Sequence, residues 1–387
     1  MRMLTAGESH GPGLTLIIEG MPAGVAFETA AIDRDLARRQ LGYGRGGRMK
    51  IEKDVIGIRS GVRHGKTTGA PIAMTVENRD YKNWESAMTP LVPAEGTAIE
   101  DVSLYRPRPG HADLAGAMKL LDPDVRNILE RASARHTTMR VAAGAAGKAL
   151  LSPFGIRIVG HVLAIGGVEA NPDTSDLARL AEVTEASEVR CADPEAAKRM
   201  MELIDATRRQ GDSLGGRVEV IAEGLPPGMG HFAEWDRKLD ARLARAVISV
   251  PAMKAVEIGD GFEGSRLPGS KVHDPIHYDG QRYTRPTNHA GGIEGGMTNG
   301  ERVIVRAAMK PIPTLARPLA SVDLRDHSAV DAGKERTDSV AVPAAAVVVE
   351  AAVAWELACA FLERFGGETM AEVTEHYQRY RERLSAF

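Results

Sequence analysis

Three stretches of the chain set proton-transfer groups close to anion-binding groups. Near the N-terminus, Gly7-Glu8-Ser9-His10-Gly11 satisfies the G-x-S-x-G pattern of a hydrolase elbow. That motif needs a strand before the serine and a helix after it. Only six residues precede Gly7, and Pro12, Gly13 and the alternating run "LTLIIE" follow it. Ser9 is therefore excluded as a nucleophile. His10 remains, either as a proton donor near neutral pH or as a loop histidine bonded to backbone. At 106–113 "RPRPGHAD" places Arg106, Arg108, His111 and Asp113 on a proline-stiffened loop that loses little entropy in holding them. From 130 onward "ERASARHTTMR" sets Arg131, Ser133, Arg135 and Thr137 at the polar entry to a small-residue helix, where an anion is favoured.

Other stretches add charge without a complete motif. Gly42–Gly47 reads G-x-G-x-x-G, yet a helical run precedes it and a strand-like run follows, the reverse of a dinucleotide fingerprint. What remains is a glycine loop with Arg38, Arg39, Arg45, Arg48 and Lys50, suited to a ligand with several negative charges or simply a solvated basic surface. "RTDSVAVP" supplies Arg336 and Asp338, the latter able to take a proton, and "KPIPT" places Lys310 at a strand end. The remaining histidines have no partners at ligand spacing, so no protein-bound metal is expected.

Composition limits the function classes. Hydrophobic residues are 43% and charged residues 26% of 387, the balance of a globular chain. The formal net charge of -3 gives no overall field for nucleic acid. No apolar run of about 18 residues and no signal peptide are evident, so no membrane association is expected. Two isolated cysteines, Cys191 and Cys359, point to a reducing, cytoplasmic setting.

The elements that must position these groups repeat. Residues 7–22, "GESHGPGLTLIIEGMP", return at 211–226 as "GDSLGGRVEVIAEGLP", with Leu214 in place of His10. "ERAS" at 130–133 echoes "ERTD" at 335–338, each leading into an Ala/Val-rich helix that ends at Phe-Gly, and "TTGAPIAMT" at 67–75 echoes "TNGERVIVR" at 298–306. A duplication of about 200 residues, not a solenoid, is the reading. Strands are expected at 14–19, 49–58, 70–77, 156–165, 217–223 and 302–309. Helices are expected at 31–40, 115–121, 125–151, 194–209, 236–248, 343–364 and 369–384, with 170–190 a polar surface excursion. Strand groups alternating with helix blocks indicate an α+β class with antiparallel sheets. One domain spanning 1–387 is expected, with halves of approximately 1–170 and 205–366 and a C-terminal helix at 367–387.

Taken together, "GESHGPGLTLIIEGMP", "RRQLGYGRGGRM", "RPRPGHAD", "ERASARHTTMRVAAGAAG", "VEIGDGF", "NHAGGIEGGMTNG" and "RTDSVAVPAAAVVVEAAVA" resemble the chorismate synthase family over residues 1 to about 366. The resemblance implies a β-α-β sandwich with an internal pseudo-twofold and a homotetramer. It implies conversion of 5-enolpyruvylshikimate 3-phosphate to chorismate by 1,4-anti elimination of phosphate and a ring hydrogen, without net redox change. Reduced FMN supplies a transient electron that makes the allylic C–O bond labile.

Carried onto this sequence, the resemblance assigns His10 to the departing phosphate, His111 to the reduced flavin and Asp338 to proton transfer through the flavin N5. Arg131, Ala132, Ser133, Pro251, Ala252, Gly295, Lys310, Pro311, Ile312, Pro313, Thr314 and Arg336 correspond to flavin-contacting positions. Arg39 and Arg45 match positions for NADP or substrate phosphate, and Ser9, Arg48, Arg108 and Arg135 are substrate contacts. Pro251, Ile312, Pro313 and Thr337 depart from the commoner residues, which moves flavin contacts there to the backbone. No reductase domain accompanies the duplicated body, so an external flavin reductant is expected, with direct use of NADPH left open. The competing class is a non-catalytic protein that binds phosphorylated ligands or RNA through the arginine loop.

Overall fold

Alternation of apolar and polar residues builds the first sheet, as the computed structural model of the chain shows; it describes residues 1–44, 53–92, 94–96, 99–335 and 338–387. Strand Gly13–Glu19 buries Leu14, Leu16 and Ile18 on one face. They stand opposite Val76, Met74 and Ile72 of the antiparallel strand Ile72–Glu77. Arg2–Ala6 and Gly57–Ser60 complete a four-stranded sheet at its two edges. A second, five-stranded antiparallel sheet runs in the order Met253–Ile258, Val303–Met309, Gly216–Glu223, Arg157–Ile165, Val168–Glu169. The class is α+β with antiparallel sheets.

Two long helices pack on these strands. Thr137–Leu151 packs on strand Gly13–Glu19, and Val342–Phe365 packs on the central strands of the second sheet. The helices also pack on each other, and glycine makes this possible. A Cβ on Gly144 would lie 2.4 Å from the Cα of Ala351; Gly160 in turn lets strand Arg157–Ile165 approach the second helix, a Cβ there lying 2.7 Å from the carbonyl oxygen of Ala346. Val342–Phe365 mixes valine, a poor helix former, with alanine, the best, and is buried on nearly all sides. A continuous apolar core runs from Leu14 to Tyr377.

Glu350 in that helix is buried, accepts the Gly160 N–H at 2.7 Å, and pairs with Arg38 at 2.8 Å and with Lys148. Burial alone would raise its carboxyl; the charges of Lys148 and Arg38 overcome that and hold it far below the usual carboxylate range.

The same bonding recurs at two threonines, in the short strands Lys66–Thr67 and Met297–Thr298. Thr67 Oγ1 donates to the Pro22 carbonyl at 2.5 Å and accepts the Val25 N–H at 2.9 Å. Thr298 Oγ1 donates to the Pro226 carbonyl at 2.7 Å and accepts the Met229 N–H at 2.9 Å. The strand registers match as well: Leu14 faces Val76 as Val218 faces Ala307, and Leu16 faces Met74 as Val220 faces Val305.

Several expectations are corrected. A strand, Arg2–Ala6, does fit before Gly7, so the hydrolase elbow fails only because a strand rather than a helix follows. The expected helix 125–151 breaks at Ser133, whose extended backbone (ψ 144°) and side chain cap a new turn by accepting the Arg135 N–H. Residues 170–190 hold the helix Leu177–Ala186, which buries Leu177 and Leu180 against Val159 and Ile221. The expected strand 49–58 begins only at Gly57; its residues 49–52 lie outside those described. Val342–Phe365 is long and apolar enough to cross a bilayer, contrary to the expectation, but 94% of its apolar window is buried in the protein.

Candidate functional site

Gly7 takes φ +108°, and a Cβ there would lie 2.3 Å from the Gly13 carbonyl, so only glycine lets the chain fold back tightly before the strand. Asn78, at the end of the neighbouring strand, locks this turn by donating from Nδ2 to the carbonyls of Glu8 at 3.1 Å and Gly11 at 2.7 Å. Arg131 does the same from below, donating to the Gly7 carbonyl and to Thr5 at 2.9 Å. Ser133 donates to Ser9 Oγ at 3.1 Å. His10 is thereby held against helix Arg126–Ala132. Its N–H donates to Glu130 Oε2 and its Nδ1 meets Glu130 Oε1, both at 2.8 Å, while its ring stacks on Trp84 with centroids 4.0 Å apart. Burial would raise Glu130, but the hydrogen bonds and charge of His10, with Arg126 at 3.3 Å, hold its carboxyl below the ordinary value.

Beneath this turn is a buried cation pair around one carboxylate. Asp54 takes Arg39 Nη2 at 2.8 Å and Arg135 Nη1 at 2.6 Å, and Arg135 Nε donates to Asn78 Oδ1 at 2.9 Å. Despite burial, which acts to raise it, Asp54 is held low by the two guanidinium groups. Arg38, one of the expected anion-binding arginines, is committed to Asp35, Glu185 and Glu350 instead.

The second cluster forms where two proline-rich segments meet. Arg108 is buried and donates to both oxygens of Asp113, from Nε at 2.9 Å and Nη2 at 3.1 Å, and to Thr314 Oγ1 at 2.9 Å. His111 Nδ1 meets Asp113 Oδ1 and lies 3.0 Å from Arg108 Nη2. Burial opposes ionisation of Asp113, but His111 and Arg108 drive its carboxyl far below the usual range. Lys310 donates to the Gly110 carbonyl, and its own N–H to Ala252, which sits in the left-handed region at φ +66° after Pro251. Ser213, the counterpart of Ser9, donates to the Ile312 carbonyl at 2.7 Å, fixing the Lys310–Thr314 segment. The clusters are joined: Arg126 reaches Glu335 at 3.3 Å, and the Gly333 N–H donates to the Arg106 carbonyl at 3.0 Å.

The structure therefore brings together Ser9, His10, Arg131, Ala132 and Ser133, links Arg39 with Arg135, and joins Arg108, His111, Lys310, Pro311, Ile312, Pro313 and Thr314. Asp338 is half-buried two residues before the bridge of Val340 to Leu214. Gly295 is separate, at the tip of the hairpin Ile293–Thr298, where a Cβ would meet nothing within 4 Å. Arg45, Arg48, Arg336 and Thr337 lie outside the described residues. Asp54, Asn78, Trp84 and Glu130 were not singled out from the sequence. Glu130 had the best signal, standing three residues before Ser133, but its partner is 120 residues away.

The donor set fits a phosphorylated, hydrogen-bonding ring system such as a flavin: an ammonium at Lys310, hydroxyls at Ser133 and Thr314, and backbone turned into the left-handed region at Ala252. A cavity of about 710 Å³ on the second sheet, lined by Glu219, Glu257, Asp260 and Arg306 among others, contains none of the expected site residues.

Comparison with known proteins covers the whole chain. Residues 1–362 match the family described as chorismate synthase. Curated relatives named chorismate synthase include those of Symbiobacterium thermophilum, 56% identical, and Geobacter sulfurreducens, 54% identical, each covering 100% of both chains. A solved structure titled "Crystal Structure of Chorismate Synthase" superposes with a TM-score of 0.80 at 41% identity, covering 100% of this chain and 98% of the other.

Proposed function

Because the chain belongs to the chorismate synthase family, we propose that the two joined clusters perform its lyase reaction. The substrate is 5-enolpyruvylshikimate 3-phosphate, the product chorismate, and the pathway that of aromatic amino acids. The observation that carries the assignment to these residues is that His10 and His111 each meet a buried carboxylate with a guanidinium beside it, Arg126 at Glu130 and Arg108 at Asp113. A substrate with one phosphate and two carboxylates needs such charge on a chain whose net charge is negative.

His10 stabilises or protonates the departing phosphate, with Ser9, Arg48, Arg108 and Arg135 holding the substrate. His111 stabilises or protonates the reduced flavin, and Asp338 assists removal of the ring proton. We assign FMN as the flavin, held by Arg131–Ser133, Pro251, Ala252, Gly295, Lys310–Thr314 and Arg336; when bound in reduced form it supplies the transient electron that loosens the allylic C–O bond. At Pro251, Ile312 and Pro313 the contacts come from backbone. Arg131 and Lys310 already hold backbone carbonyls, so their part is to shape the wall as well as to place charge.

The matched Thr67 and Thr298 bonds and strand registers support an internal duplication, with halves of about 1–170 and 205–366 in one domain and the two helices sandwiched between sheets. A homotetramer and a cytoplasmic location complete the proposal, the latter supported by two buried thiols.

Anaerobic mixing of the protein with reduced FMN and the substrate should give chorismate absorbance. Bound reduced flavin without product would overturn the proposal. An external reductant is proposed, Arg39 and Arg45 being the positions for NADPH if it binds. Product from oxidised FMN plus NADPH alone would replace the external reductant with direct use.

A further inference from the structure

A histidine acting on a leaving phosphate needs one defined ring nitrogen presented to it, and nothing in the His10 turn itself defines which. The ring's surroundings do. One face stacks on Trp84. The Nδ1 edge meets Glu130 Oε1 at 2.8 Å, and the other carboxylate oxygen is fixed by the His10 backbone N–H at 2.8 Å. The backbone N–H can only donate and a carboxylate can only accept, so Nδ1 carries a hydrogen and Nε2 is the nitrogen left for the substrate. The side chain of His10 is 11% exposed and that of Glu130 is fully buried.

The other half of the molecule supplies a control. Glu335 corresponds to Glu130, and Leu214 to His10. Arg126 lies 3.3 Å from each glutamate, so both serve the same guanidinium. Only Glu130 also grips a histidine, and only Glu130 is fully buried, Glu335 being 25% exposed at its side chain. Pairing with Arg126 therefore does not account for the depth and two-point contact of Glu130.

We infer that Glu130 is a positioning residue for the elimination: it fixes the His10 ring as the Nδ1–H form and aims Nε2 at the departing phosphate. The inference rests on the assignment of His10 to that phosphate. In the step itself Nε2–H passes its proton to a phosphate oxygen as the C–O bond breaks, leaving a neutral ring with Nδ1–H still on Glu130. The charged groups near the ring among the described residues are Glu130 and Arg126 from the helix, with Arg126 also over the Trp84 ring, Glu335 beyond Arg126, and Arg79, Asp80, Lys82 and Glu85 on the segment that carries Trp84.

Glu130→Gln reverses the pattern while conserving shape. Its amide oxygen must still face the His10 N–H, so its NH2 faces Nδ1 and selects the opposite tautomer, disfavouring the doubly protonated ring. We expect kcat to fall about 100-fold or more, KM to change little, and the alkaline limb of the pH–rate profile to move to lower pH. Histidine-selective nitrogen NMR should show the His10 tautomer reversed. Glu130→Asp, which keeps the acceptors, should recover part of kcat and the wild-type limb. An unchanged His10 tautomer and an unchanged limb in folded Glu130→Gln would overturn the inference, as would Glu130→Asp failing to differ from Glu130→Gln in a folded protein. A reversed tautomer with wild-type turnover would instead uphold the positioning and remove His10 from the reaction. That outcome separates failure of the functional reading from failure of this one.

Discussion

The turn at Gly7–Gly11 and its counterpart at Gly211–Gly215 share a backbone role and differ in what they present. In both, the residue at the first glycine has positive φ and the chain runs on into a sheet strand. The N–H of His10 donates to the Glu130 carboxylate, whereas the N–H of Leu214 donates to the Ser339 carbonyl. The first turn seats an imidazole between a carboxylate and an indole; the second packs the partly buried Leu214 onto the core and uses Ser213 to brace the Lys310–Thr314 segment. On the proposed assignment the first turn carries chemistry and the second serves as scaffold. The difference lies in one side chain and in the partner placed to meet it.

The comparison can be broken most severely at Asp54, on which the first half depends. Asp54→Ala leaves the buried Arg39 and Arg135 without their shared carboxylate and should cost about 3–5 kcal/mol, read as a shift of the urea midpoint; a loss below about 1 kcal/mol would mean that the pair does not matter.

A matched pair tests the equivalence of the halves. Thr67→Val and Thr298→Val each remove the same two buried hydrogen bonds and should each cost roughly 1–3 kcal/mol, by similar amounts. A large cost in one and none in the other would show that the shared bonding is not a shared device. Smaller still, Leu214→His should cost about 1 kcal/mol through lost apolar packing and leave turnover unchanged, because Glu335, the counterpart of Glu130, is 25% exposed at its side chain and paired with Arg126.

The acid side carries a sign. Asp54, Asp113 and Glu130 are all held below their ordinary values, so the stability they contribute is present above about pH 4 and is lost as pH falls through their folded values. Denaturation midpoints should therefore decline across the acid range, and the decline should be shallower in Asp54→Asn. A wild-type midpoint that holds constant or rises on acidification would contradict those shifts.

Much of the framework was legible because it is written locally. Alternation gave the strands Gly13–Glu19, Ile72–Glu77, Arg157–Ile165, Gly216–Glu223 and Val303–Met309 nearly to the residue, and Pro194 and Pro343 marked helix starts. The break at Ser133 was missed because helix-favouring residues flank it, although Ser133 itself is a capping residue type and caps the next turn. His10, His111 and the arginines stood out by type and by motif. Their carboxylate partners did not: Asp54 lies 81 residues from Arg135 and Glu130 lies 120 from His10. No periodicity links such positions. Asp113 was visible beside His111, but that it also clamps Arg108 followed only from the fold.

The contrast between the two turns is tested most directly by making the first resemble the second. His10→Leu should lower the melting temperature, because the buried Glu130 carboxylate loses a partner, yet below that temperature it should bind reduced flavin as the wild type does while single-turnover formation of chorismate falls about 10²- to 10⁴-fold. Single-turnover rates within a few-fold of wild type would contradict the account, since the histidine would then be no more chemical than the leucine it matches.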